Sequence, residues 1–269
     1  MDDVLRAVLG AGARVVGALP GDGGAVVRHV VGPGGADLVV KTAPLGAGPD
    51  LMRSARAQRA AAGAGVPVPR LVAAEVRDGV QVHVTERVAG RRWCDVHPGA
   101  GDADRRAVEE ALADVLERLR GVVLPGYGDL GAPGAPELDA LLARTRARVP
   151  AGPRRAAAER VLDRHGPLFD GAAGAVLVHG DLHHANVLVR RAGDRWALAA
   201  VLDWDSAWAG PADADAARAA LWDGMPSTPA GAGPRAAVQQ LLWCLEYGDG
   251  GPRHRADTAR VAARLGVRV

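Results

Sequence analysis

The sequence predicts an α+β fold, with an antiparallel sheet and one helix first and a mainly helical part after. Short Val-rich runs bounded by Gly and Pro crowd residues 14–84, the mark of strands and tight turns. From Gly90 onward the apolar residues fall at helical spacing instead. One later stretch, residues 176–205, interrupts the helices with an apolar run, a polar turn and a hairpin pattern.

In chain order, residues 2–10 predict a short helix, and residues 14–19 and 25–31 two strands around the turn Pro20-Gly21-Asp22-Gly23-Gly24. Strand, Gly-rich turn, strand is a form that lets backbone approach a phosphate closely. Residues 36–41 predict a third strand ending at Lys41. Pro49-Asp50 is a helix start signal, and the helix should run over 50–62. Residues 71–76 and 80–84 predict a hairpin around Asp78-Gly79. In residues 105–120, Val108, Leu112, Val115 and Leu119 share one helix face and should face the core. A Gly/Pro loop over 122–136 precedes helices at 137–149 and 154–165, and residues 212–223, 233–248 and 254–265 predict three more.

At 269 residues the chain can bury a full core, and its 48% hydrophobic and 24% charged content is globular. The net charge of +2, with no run of like charge, argues against a nucleic-acid partner. No apolar run approaches the roughly 20 residues of a membrane span, so no membrane association is expected. The acidic start Met1-Asp2-Asp3 is no signal peptide, and two cysteines, Cys94 and Cys244, form no disulfide framework. A cytoplasmic protein with reduced thiols, monomer or homodimer, is the expectation.

The chemistry concentrates in residues 176–205. Asp181, Asn186 and Asp203 fall at strand ends, and two carboxylates with one carboxamide can hold a hard cation through oxygen while one carboxylate serves as a base. Composition sharpens this. The chain has no Ile, one Lys (Lys41) among its 33 Lys+Arg, and one Asn (Asn186). Pressure toward GC-rich codons replaces Lys by Arg wherever Arg will serve, so a lone Lys is kept for its chemistry as a compact point charge.

His179-Gly180-Asp181 with Asn186, and Val201-Leu202-Asp203-Trp204-Asp205, resemble the catalytic loop and metal loop of the aminoglycoside phosphotransferase family. The resemblance implies a bilobal protein-kinase-like fold, with a nucleotide-binding lobe at 1–88 and a catalytic and acceptor-binding lobe at 89–269. It implies ATP and Mg²⁺ as cofactors and a small-molecule hydroxyl as acceptor, an antibiotic of aminoglycoside, peptide or nucleoside type. In that frame Asp181 is the base for the acceptor hydroxyl, Asn186 and Asp203 hold Mg²⁺, and Lys41 grips the α- and β-phosphates. Gly21, Gly23 and Gly24 cover the phosphates, and the Glu86 carbonyl and Val88 amide, in Thr85-Glu86-Arg87-Val88-Ala89-Gly90, meet the adenine. His179 and Asp215 brace the catalytic loop, and His183 matches a common family residue, with no role implied for His184. Asp205 touches the metal shell or the substrate. Trp204, Trp208, Trp222 and Trp243 should be core, with some of them candidates for an acceptor pocket, and Asp223, Glu246 and Asp249 are candidates for a cationic acceptor.

Two departures stand out. Alignment on Val66-Pro67-Val68-Pro69 puts Ser54 where the family carries the Glu that pairs with the strand Lys; either Asp50 reaches Lys41 or the pair is missing. Trp208-Ala209-Gly210-Pro211 lacks the usual Gly-Asp-Pro. Alternatives are a metabolic kinase of the same fold, acting on a sugar, amino alcohol or homoserine-like acceptor, and an inactive nucleotide-binding protein. A transition-metal cluster of His179, Asp181, His183 and His184 is disfavoured, because only His254 follows to complete it.

Overall fold

The computed structural model describes residues 2–21, 24–170, 174–247 and 250–269. Helix α1 (Asp2–Leu9) leads into a five-stranded antiparallel sheet. Its strands are β1 (Arg14–Leu19), β2 (Val26–Val31), β3 (Asp37–Pro44), β4 (Leu71–Arg77) and β5 (Val80–Glu86), in the order β1-β2-β3-β5-β4. Helix α2 (Leu51–Gly63) lies between β3 and β4 in the chain.

Side chains alternate across β3 and β5, and the two faces do different work. Leu38, Val40, Val82 and Val84 bury one face with Val30 and with Leu5 of α1. The other face carries Lys41, in register with His83, and Gln81, in register with Ala43. Helix α2 covers that face. Gln81 docks it, accepting from the Leu51 N–H at 3.0 Å and donating to the Pro49 carbonyl at 3.0 Å. Along α2, Leu51, Ser54, Ala55, Gln58 and Ala61 form the buried stripe. One expectation is corrected here. Strand β3 runs on to Pro44, so Lys41 sits inside the strand rather than at its end, because the β5 hairpin partner extends the ladder to Val80.

The second part holds β6 (Arg91–Arg92), α3 (Trp93–Val96), α4 (Asp102–Arg120), β7 (Val123–Leu124), α5 (Glu137–Arg148) and α6 (Pro153–His165). It continues with β8 (Ala175–Val178), β9 (Val187–Ala192), β10 (Arg195–Val201), β11 (Trp208–Gly210), α7 (Ala214–Ala219), α8 (Gly233–Glu246) and α9 (Gly251–Leu265). Two small antiparallel sheets, β10-β9-β6 and β11-β8-β7, meet at residues 179–186. The predicted 187–202 hairpin forms as β9 and β10, while β8 pairs with β7 and with the unexpected β11. Every residue of β8 is buried, because it separates two cores. Val176 and Val178 pack with α5, α6, α8 and α9, while Leu177 packs with Leu112 and Leu119 of α4 and with Trp93. The expected helix over 212–223 is cut to α7, whose turn carries Asp215. Among the described residues no helix is long and apolar enough to cross a membrane. Cys94 and Cys244 are free thiols.

Candidate functional site

The loop after β8 is tied down from two sides. Asp215, 5% exposed, accepts the His179 N–H at 2.7 Å and the Gly180 N–H at 2.9 Å. The buried His179 ring donates from Nε2 to the Leu202 carbonyl at 2.8 Å and accepts the Asp181 N–H at Nδ1, 3.1 Å away. Both ring nitrogens are thus spent on backbone, which leaves His179 as a brace and not as a metal ligand. Gly180 has φ +74°, and a Cβ there would lie 2.4 Å from the Ser206 carbonyl oxygen, so the motif admits only glycine at this point.

The brace aims three groups. Asn186 donates from Nδ2 to the Asp181 carbonyl at 2.9 Å and to Asp181 Oδ2 at 3.1 Å, turning its own Oδ1 outward. The Leu202 N–H donates to the Asn186 carbonyl at 2.8 Å, which sets Asp203 beside the loop. Asp203 adopts φ +63°, a left-handed conformation rare outside glycine and frequent at functional sites. Asp203 and Asn186 together offer one carboxylate and one carboxamide oxygen of single negative charge, donor chemistry that fits Mg²⁺, which takes few protein ligands and fills its other positions with water and phosphate.

Lys41 arrives from the sheet to meet this pair. Its Nζ donates to Asp203 Oδ1 at 2.7 Å and to Asp205 Oδ2 at 3.1 Å. Asp205 reaches the same ammonium because residues Trp204–Ser206 form a 3-10 turn. Burial alone would lower the Lys41 pKa, but the charges of Asp205 and Asp203 hold it above the usual lysine value. Burial raises Asp203, and Lys41 more than offsets this, so its carboxyl sits below the usual range. The more enclosed Asp205 is held above it by burial, with Lys41 opposing and Asp203 adding. His83, behind Lys41, is driven down to about 4 by burial and then by the Lys41 charge. Of the two expectations for Lys41, the second holds. Asp50 caps α2, accepting the Arg53 N–H at 2.9 Å, so the pair with a helix carboxylate is missing, and Lys41 meets Asp203 and Asp205 instead. Ser54 donates its hydroxyl to Asp205 Oδ1 at 2.6 Å.

On the far side of the loop, Asp181 Oδ1 is held by Arg218 and by the Tyr247 hydroxyl, which donates at 3.0 Å. Arg218, 4% exposed, also donates to the Gly180 carbonyl at 2.9 Å and lies 4.1 Å over the Trp243 ring. From there an aromatic wall runs outward: Tyr247 against Trp243, Trp243 against Trp222, and Trp222 stacked on His183 at 5.1 Å. Burial drives His183 down to about 4, with Asp181 opposing and Arg218 assisting, which makes it neutral at pH 7. Arg148 and Arg144 occupy Glu246, and Arg253 occupies Asp223, so neither is a free carboxylate for a cation. Asp249 lies outside the described residues. Trp204 and Trp208 are core.

Of the other candidates, Gly21 and Gly24 stand at the β1–β2 turn, Gly24 with φ +88°, and Gly23 lies outside the described residues. Glu86 ends β5, its side chain paired with exposed Arg70. The Val88 N–H, two residues on, has no hydrogen-bond partner among the described residues. The sequence did not announce Arg218 and Tyr247 as partners of Asp181. Arg218 is one of many arginines, and only the fold picks it out.

A family model of the phosphotransferase enzyme family matches residues 17–253. No curated protein matches the chain. Among solved structures, it resembles a thermostable mutant of aminoglycoside phosphotransferase APH(4)-Ia in ternary complex with AMP-PNP and hygromycin B, at TM-score 0.68 and 19% identity, covering 99% of this chain and 96% of that one. A putative fructosamine-3-kinase from Thermobifida fusca YX-ER1 follows at TM-score 0.61 and 22% identity, covering 97% and 98%. An aminoglycoside-3'-phosphotransferase of type VIII stands at TM-score 0.52 and 25% identity, covering 98% of each chain. With its strand lysine, braced His-Gly-Asp loop and following Asp203 carried on the same fold, the chain belongs to the phosphotransferase enzyme family and is a small-molecule phosphotransferase of protein-kinase-like fold.

Proposed function

We propose that the chain binds Mg-ATP between a lobe at 1–88 and a lobe at 89–269 and moves the γ-phosphoryl group to a hydroxyl of a small molecule. One observation carries this reading. The only lysine reaches 2.7 Å from Asp203, across 162 residues of sequence, beside a loop whose only asparagine is locked to Asp181. Lys41 is the phosphate grip, and Asn186 with Asp203 the Mg²⁺ ligands. Bound Mg²⁺ would neutralise charge on the β- and γ-phosphates. Asp181 accepts the hydroxyl proton at Oδ2 while Arg218 and Tyr247 fix Oδ1. Gly21, Gly23 and Gly24 cover the phosphates, and Glu86 and Val88 offer backbone to the adenine.

The acceptor is an antibiotic-like molecule that stacks a ring on Trp222, Trp243 and Tyr247, and its modification would confer resistance in a cytoplasmic enzyme. With Glu246 and Asp223 already paired, a nucleoside or peptide type suits the described wall better than a polycation. The same wall suits a sugar ring, which keeps a metabolic acceptor as the second reading. The ground for an inactive protein was Ser54 at the usual Glu position; that departure stands, but two carboxylates from outside the helix, Asp203 and Asp205, meet Lys41 in its place.

ATP turnover across a panel of ring-bearing, sugar and aminoglycoside acceptors tests this. Asp181→Asn is expected to lower transfer about a hundredfold or more while Mg-ATP binding persists. Turnover at the wild-type rate in that variant sinks the base.

A further inference from the structure

Helix α2 presents no carboxylate to Lys41. Its buried stripe offers Ser54, 1% exposed, and a serine hydroxyl is too short to reach the ammonium itself. It meets Asp205 instead. One oxygen of that carboxylate, Oδ1, takes the Ser54 hydroxyl at 2.6 Å, and the other, Oδ2, takes Lys41 at 3.1 Å. The neighbouring Arg53 donates to the Asp205 carbonyl at 2.9 Å, so α2 grips the 204–206 turn by side chain and by backbone. Asp205 is 18% exposed where Asp203 is 37% exposed. Both oxygens of Asp205 are used, one by Ser54 and one by Lys41.

We propose that Asp205, oriented by Ser54, is the positioning residue for Lys41. The counter-charge that holds the lysine for the phosphates then comes from the metal-loop turn, and the helix supplies the hydroxyl that aims it. With Asp205 holding the ammonium, Asp203 would be available as the residue that holds the metal. The inference rests on the reading of Lys41 as the phosphate grip.

ATP affinity measured with Mg²⁺ and with EDTA tests it, together with the side-chain NMR signal of protein labelled with [¹³Cε]lysine. Because the chain has one lysine, that label gives a single resonance from Lys41. Asp205→Asn is expected to weaken ATP binding about tenfold or more, equally with and without Mg²⁺, since a charge-assisted contact to the grip is lost. Ser54→Ala, which keeps both carboxylates, should weaken it about threefold in the same way. In both variants the Lys41 resonance should shift toward that of a solvated lysine.

Wild-type ATP affinity in Asp205→Asn overturns the proposal, and so does a loss confined to Mg-ATP, which would mark Asp205 as a metal ligand. If Asp205→Asn does not fold, Ser54→Ala decides: an unchanged Lys41 signal and unchanged affinity overturn it. Lys41→Met separates the two levels. If it leaves ATP affinity intact, the phosphotransferase reading of Lys41 falls and takes the anchor with it. If it weakens ATP while Asp205→Asn does not, only the anchor falls.

Discussion

Two aspartates of the site each meet a cation, and the cations differ in kind. Asp203 meets Lys41, a point charge on a flexible stem that comes from the five-stranded sheet. Asp181 meets Arg218, a planar fork buried in α7 that also holds the Gly180 carbonyl and stacks on Trp243. The ammonium meets two carboxylates, Asp203 and Asp205, and can keep one while the other gives way. The guanidinium is committed by three contacts at once and has nowhere to go. The proposed transfer would use both: a cation whose carboxylate partner can change, and a carboxylate whose orientation does not drift.

Arg218→Met breaks the fixed half of that contrast. Losing a buried guanidinium leaves Asp181 Oδ1 and the Gly180 carbonyl under-partnered, an expected cost of about 3–5 kcal/mol in urea unfolding. Lys41→Met should cost less, since water reaches Asp203 and Ser54 still donates to Asp205. Equal losses would erase the distinction.

Gly180→Ala tests how rigidly the loop behind the base is held. Its φ of +74° and the 2.4 Å approach to Ser206 should cost about 3 kcal/mol and displace Asp181, read as a lowered melting temperature together with lost transfer. A neutral result would mean that the loop can relax.

Acid is the smallest lever, and it acts behind Lys41. His83 has an unfolded pKa near 6.5 and a folded value of about 4. Between those values the unfolded chain binds a proton that the folded chain refuses, so stability is full above pH 6.5 and is lost as pH falls toward 4, by on the order of 2 kcal/mol. His183, also at about 4, acts over the same window, so His83→Gln should flatten the slope only in part. An unchanged slope would place the whole effect at His183.

Much of this was legible before any coordinates. The 3.6-residue stripe of Val108, Leu112, Val115 and Leu119 is the buried face of α4, and each of the long helices appears within a few residues of its expected range. The fold brings Lys41 to Asp203 and Asn186 to Asp181. What escaped were short elements set by partners far along the chain. Strand β11 exists because β8 needs a second neighbour, and Trp208-Ala209-Gly210 carries no alternating pattern to announce it. Helix α7 ends early because the chain turns at Ala220 to bring Trp222 against His183.

Local order, then, is the sequence's own doing. Turn glycines, strand runs and helix stripes express steric and hydrophobic preferences that act over a few residues, and one lysine in a chain of arginines declares its use. Pairing was decided in three dimensions. Ser54 with Asp205, Arg218 with Asp181 and Tyr247 with Asp181 join residues 151, 37 and 66 positions apart. Such contacts depend on how whole elements pack, and no short-range preference of either partner encodes the other.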